Sequence, residues 1–108
     1  MQDTVGIIEI LKKFKVRLQN LYGDKFSSLI LYGSYARGEF IEDSDIDLAV
    51  VLKGNIKPFK EIDRMTAIAG EIDLKYGVLL SLYPVSEESY HSCKTLLIMN
   101  IHEEGVLI

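Results

Sequence analysis

The sequence predicts an α/β layered domain spanning residues 1–108: a mixed sheet of about four strands packed with about four helices, at least part of it parallel. Two observations carry that expectation. Apolar positions recur at helical spacing, then in short continuous runs, and the two patterns alternate along the chain. The resulting order, helix–strand–helix–strand–helix–strand–helix, is that of a layered α/β domain.

The elements follow in order. Over residues 4–22, Ile7, Leu11, Phe14, Leu18 and Leu21 define an amphipathic helix, with Thr4 as its cap and Gly23 as its stop. Residues 26–32 form an apolar strand pattern ending at Gly33, and Ser34 to Arg37 form a helical turn closed by Gly38. A polar, acidic loop follows over 39–44. Residues 45–52 begin in alternation and end as a continuous apolar run, a strand polar at its start and buried on both faces later. Gly54-Asn55 marks a turn. Pro58 suits the first turn of a helix running to Tyr76, with Phe59, Ile62, Met65, Ile68, Ala69 and Ile72 inward and Gly77 as its stop. Residues 78–85 form a third strand, and Pro84 places its far end at a sheet edge or outside the ladder. A helix over 87–104, broken near Ser92, ends at Gly105, and residues 106–108 form a last short strand.

Composition excludes several classes. Hydrophobic residues make up 48% and charged residues 26% of the 108, an ordinary globular balance. The net charge is -4, so no overall basic field is available to hold nucleic acid, and direct nucleic-acid binding is not expected. Lys12, Lys13, Lys15 and Arg17 spread around a helix and read as a solvated face. Cys93 has no partner for an internal disulfide and reads as a small packing residue. No apolar run approaches the ~20 residues of a membrane span, and a cytoplasmic protein is expected. Apolar strands near the ends are surfaces through which a small domain can pair with itself or with a partner.

The chemistry concentrates between Gly33 and Leu48. A strand running into Gly33-Ser34 turns backbone N–H groups toward the sheet edge, and glycine lets a phosphate approach closely. Ser34 adds a hydroxyl donor, and Arg37 reaches the same anion one turn on. Asp45 and Asp47 are two apart on a strand, so both side chains leave one face with Cα atoms ~6.5 Å apart. Converging carboxylates repel unless a cation intervenes, and magnesium takes one or two carboxylates together with water and substrate phosphates. Gly-Ser alone is a common turn and Asp-x-Asp alone a common solvated strand start. Their order and ten-residue separation make a site for a magnesium-bound nucleotide.

Gly33-Ser34, ten residues, then Asp45-Ile46-Asp47 resembles the signature of the DNA polymerase beta-type nucleotidyltransferase superfamily. The fuller run Gly33-Ser34-Tyr35-Ala36-Arg37-Gly38 with Ser44-Asp45-Ile46-Asp47-Leu48 resembles its minimal nucleotidyltransferase (MNT) branch. The resemblance implies that Gly33, Ser34, Arg37 and Ser44 bind nucleotide phosphates, and that Asp45 and Asp47 are catalytic ligands of two magnesium ions. ATP is the implied substrate. Many MNT proteins resemble antitoxins paired with HEPN toxins, some of which they adenylylate on a tyrosine. The resemblance therefore implies AMP transfer to a protein acceptor.

The chain departs from that pattern at one point. The superfamily places a third carboxylate on a later strand, whereas residues 78–85 contain none, and Ser81 is expected to fill the position. Losing that acid weakens the nucleophile-activating ion more than triphosphate binding. The alternative function is a catalytically weak nucleotide-binding antitoxin that neutralises its partner by binding. Glu87 or Glu88 is a candidate substitute acid, though both suit the first turn of a helix. His91 and His102 read as surface or capping residues, Asp63, Glu71 and Asp73 as the wet face of the long helix, and Tyr35 and Tyr83 as flanks for a base.

Overall fold

The computed structural model describes residues 4–39, 44–92 and 94–108. Residues 40–43 of the expected acidic loop, and Cys93, lie outside the described residues. Helix α1 (Thr4–Tyr22) passes through a short 3-10 turn (Gly23–Lys25) into β1 (Phe26–Tyr32), followed by α2 (Ser34–Arg37) and β2 (Ile46–Leu52). Then come α3 (Pro58–Tyr76), β3 (Leu80–Ser86), α4 (Glu87–Ser92), α5 (Leu96–Glu104) and β4 (Val106–Leu107).

The sheet is mixed, in the order β3-β2-β1-β4. β1 runs antiparallel to both β2 and β4, while β2 and β3 are parallel across the α3 crossover. Pro84 is tolerated because β3 is an edge strand, where a missing N–H costs least. Pro58 opens α3, and Gly77 ends it at φ 64°, a left-handed conformation that favours glycine.

The two faces of the sheet carry different cores. On the first, Leu29, Leu31, Ile46, Leu48, Val50, Leu52 and Leu80 pack with Ile7, Leu11, Phe14 and Leu18 of α1 and with Met65, Ala69 and Ile72 of α3. On the second, Ile30, Ala49, Val51 and Val85 pack against Ile98 and Ile101 of α5.

Two expectations for α3 need correction. Phe59 is 87% exposed rather than inward. Ile62, one turn later, is itself only half-buried beside an open cavity, so the first turn of α3 runs past the packed surface. Asp73 is not on the wet face. It is half-buried, and its Oδ1 accepts the Leu80 N–H at 3.0 Å, tying the end of α3 to the start of β3. Burial raises its pKa, and that hydrogen bond opposes the rise.

The break near Ser92 is two separate helices. Thr95 caps the second, its hydroxyl accepting the Ile98 N–H at 3.2 Å. The basic residues of α1 are tethered: Arg17 pairs with Glu71 at 2.7 Å, Lys13 donates to the Tyr76 hydroxyl, and Lys15 donates to the Ile108 carbonyl at 2.8 Å. His102 Nε2 lies 2.7 Å from the Tyr90 carbonyl, and its ring stacks on that of Tyr90. Among the described residues, no helix is long and apolar enough to cross a membrane.

Candidate active site

The β1–α2–β2 unit builds the candidate site. β1 delivers Tyr32 to the sheet end, and the chain turns at Gly33 with φ 76° and ψ -153°, a backbone closed to other residues without strain. Space also demands glycine there, because an added Cβ would strike Asp47 Oδ2. The phosphate-cradle candidate and the carboxylate candidate are therefore in contact. The Arg37 N–H donates to the Gly33 carbonyl at 3.1 Å, and Gly38 closes α2 at φ 72°.

Strand register completes the arrangement. Asp47 is paired with Tyr32 on one side and Ser81 on the other, so these three side chains form one row across the second sheet face. Asp45 precedes β2 and is exposed, whereas Asp47 is half-buried. Ser44 and Ser34 are half-buried, and Arg37 is exposed. Gly33, Arg37, Asp45, Asp47 and Ser81 thus meet at one end of the sheet, with Ser34 and Ser44 beside them in the chain.

Electrostatics follow from this crowding. Burial, then the neighbouring Asp45 charge, raises the Asp47 pKa; Arg37 opposes the rise and Glu104 adds to it. A cation between the carboxylates would relieve that repulsion. The Tyr32 phenol is pushed up to about 12 by burial, with further contributions from Asp47 and Tyr83. It is a neutral hydroxyl at physiological pH.

Sequence reasoning missed Glu104. From the last turn of α5, its Oε1 accepts the Gly33 N–H at 3.1 Å, and both its oxygens accept from Arg37 Nη1 at 3.1 Å. Arg37 also pairs with Glu39 at 3.0 Å. The guanidinium expected to meet phosphate is thus engaged by carboxylates. No local pattern signals this, because Glu104 lies 71 residues from Gly33 in the chain.

Other candidates lie elsewhere. Glu87 accepts from the Ser27 hydroxyl at 2.6 Å near the start of β1, the far end of the sheet from Asp47, so it is no substitute acid. Glu88 lines a cavity with Tyr83, Pro84 and Ser86, also beyond Ser81 along β3. Tyr35 is 5% exposed within the first core and offers no face to a base, while Tyr83 is half-buried on the Asp47 face. Among the described residues, no three acids, histidines or cysteines converge on a common ion position. The pair Asp45 and Asp47 fits a magnesium ion that takes its remaining ligands from water and phosphate.

A mixed sheet with a strand–Gly-Ser–helical turn beside two aspartates is the arrangement of a nucleotide-handling α/β enzyme. The sequence profile of the nucleotidyltransferase domain matches residues 9–108, and the chain belongs to that family. A Methanocaldococcus jannaschii protein provisionally named a protein adenylyltransferase is 37% identical over 100 residues, covering 93% of this chain and 96% of its own. The fold is similar to that of a Sulfolobus solfataricus protein provisionally called a nucleotidyltransferase, with a TM-score of 0.69 at 17% identity over 96% of this chain and 80% of that one. It is also similar to a chain of a complex between a tri-AMPylated Shewanella oneidensis HEPN toxin and its MNT antitoxin. There the TM-score is 0.52 at 17% identity, covering 89% of this chain and 69% of that one.

Proposed function

We propose that this nucleotidyltransferase transfers AMP from magnesium-bound ATP to a hydroxyl of a protein partner, a tyrosine of a HEPN-type toxin, and so acts as its antitoxin. The observation that carries the reading is the contact between Gly33 and the Asp47 carboxylate, which joins the phosphate cradle and the metal ligands in one site. The relative's name and the AMPylated toxin complex support a protein acceptor and an adenylyl group.

Each residue has a role in this reading. The Gly33 amide, the Ser34 and Ser44 hydroxyls and the Arg37 guanidinium hold phosphate oxygens, and Asp45 and Asp47 hold magnesium. Magnesium supplies charge neutralisation at the triphosphate and lowers the cost of the leaving pyrophosphate. The acceptor oxygen forms a bond to the α-phosphorus, the bridging bond to the β-phosphate breaks, and the hydroxyl proton leaves to water. Tyr32, neutral and beside Asp47, closes one end of the row that Asp47 and Ser81 continue.

A second reading, a weak transferase that neutralises its partner by binding, is favoured by one observation. Ser81 stands directly across from Asp47, where a third carboxylate would hold the second ion. One experiment separates the two. The chain is incubated with magnesium and α-labelled ATP, alone and with the product of the adjacent gene, and intact masses are measured. An AMP adduct on the partner, abolished by Asp45→Asn, supports the transferase. ATP binding without any adduct, converted to transfer by Ser81→Asp, supports the weak binder.

A further inference from the structure

We propose that Glu104 is a built-in competitor for the phosphate cradle: its carboxylate holds the Gly33 amide and the Arg37 guanidinium, and a nucleotide binds only by displacing it. This rests on the reading of Gly33 and Arg37 as phosphate ligands.

The geometry is that of an anion in an anion site. Glu104 presents two oxygens, one accepting the Gly33 N–H and both accepting from Arg37 Nη1, all at 3.1 Å. A phosphate would offer the same pair of acceptors to the same donors. The Glu104 carboxylate holds this position although its charge raises the pKa of Asp47. It therefore adds like charge to a site already carrying Asp45 and Asp47, a cost offset by the two cradle donors. The side chain is 23% exposed, so it is settled in the cradle rather than waving in solvent.

The backbone explains why Glu104 arrives there. The Gly105 N–H donates to the Ile101 carbonyl at 2.8 Å, and an added Cβ at Gly105 would strike that carbonyl and the Ile30 side chain. The chain then pairs along β1 as β4, and the Ile108 N–H donates to the Leu29 carbonyl at 2.9 Å. The end of α5 is thus pressed onto β1, one residue beyond Glu104, and the carboxylate is aimed at the turn that follows β1. Displacement requires only rotation of the Glu104 side chain, with α5 and β4 in place. After it, Arg37 exchanges a carboxylate for a phosphate.

The energetic scale is modest. Solvent screens a pair whose cation is exposed, and the amide bond adds to it, so releasing the competitor should tighten nucleotide binding by about threefold to tenfold. Removing any nearby negative charge also favours an anion through the general field, and Glu103, exposed and one residue away, controls for that.

The test is calorimetric titration with magnesium and a non-hydrolysable ATP analogue, at fixed ionic strength, of the unaltered chain, Glu104→Gln, Glu104→Ala and Glu103→Gln, each checked for folding by circular dichroism. The expected result is threefold to tenfold tighter binding in both Glu104 variants and less than twofold in Glu103→Gln. Unchanged binding in the Glu104 variants overturns the proposal, as does equal tightening in Glu103→Gln. Weaker binding in both Glu104 variants overturns it in favour of Glu104 as a ligand of the bound metal or nucleotide. Binding by none of the four chains removes the nucleotide reading itself, a failure distinct from those above.

Discussion

The two faces of the sheet are built from alternate residues of the same strands, yet they differ in kind. On the first face, β2 contributes Ile46, Leu48, Val50 and Leu52, all at most 1% exposed, beneath the 19-residue helices α1 and α3. On the second, β2 contributes Asp47, Ala49 and Val51, beneath α4 and α5 of six and nine residues. Short cover leaves one end of that face only partly shielded, and Asp47, Tyr32 and Ser81 form their row there. The first face is packed throughout, and the second carries the proposed site, one residue apart along each strand.

Substitutions on β2 should separate these roles. The largest effect is expected from Asp47→Asn, which should lower AMP transfer by about 100-fold or more, as loss of a preorganised charge at a reacting phosphate does. A discontinuous assay with labelled ATP measures it. Leu48→Ala, one residue on, should cost about 2–5 kcal/mol of stability through the cavity it leaves, read by urea unfolding. The folded fraction should keep its nucleotide affinity.

Gly33→Ala touches both faces of the comparison. The alanine would sit at a positive φ and collide with Asp47, so a stability loss of about 1–3 kcal/mol and a loss of nucleotide binding are expected together. Binding retained at full affinity would break the assignment of that turn.

The smallest effect concerns pH. The folded Asp47 pKa lies above its ordinary 3.8, so the folded state disfavours its charge. The protein is therefore relatively more stable where Asp47 is protonated, and that advantage is lost as pH rises through the raised value. Asp47→Asn should consequently raise stability at neutral pH by no more than about 1 kcal/mol, with the gain fading on acidification. Magnesium binding should show the opposite dependence, weakening as pH falls through the same range. Thermal melts and metal titrations from about pH 3 to 7, spanning the ordinary carboxylate range and the region above it, check both signs.

What could be read from the sequence was local. Pro58 and Gly77 bound α3 because each fixes its own backbone, and β1 emerges because an uninterrupted apolar run ends at glycine. The Gly33-Ser34 and Asp45/Asp47 segments meet because antiparallel pairing of two adjacent strands brings their linked ends together. Ser81 was also accessible, since the family resemblance calls for an acid on that strand and Ser81 is the polar residue in its middle; register sets it opposite Asp47. The misses involve contacts between distant segments. Glu104 looks like any acid ending a helix, and only the pairing of β4 with β1 brings it to Gly33. Asp73 looks like a wet-face residue until β3 begins beneath it. Tyr35 is drawn into the core by a helix too short to show a periodicity of its own.

The central claim is that magnesium and nucleotide bind at the Asp47 end of the second face. Its most direct test is two-dimensional amide NMR of the chain titrated with magnesium and a non-hydrolysable ATP analogue, beside the Asp45→Asn, Asp47→Asn double variant. Saturable shifts should concentrate at Tyr32, Gly33, Asp47 and Ser81 and vanish in the double variant. Shifts centred instead on the ≈ 580 Å³ cavity lined by Asn55, Ile62, Tyr83 and Ser86, or persisting unchanged in the double variant, would contradict it.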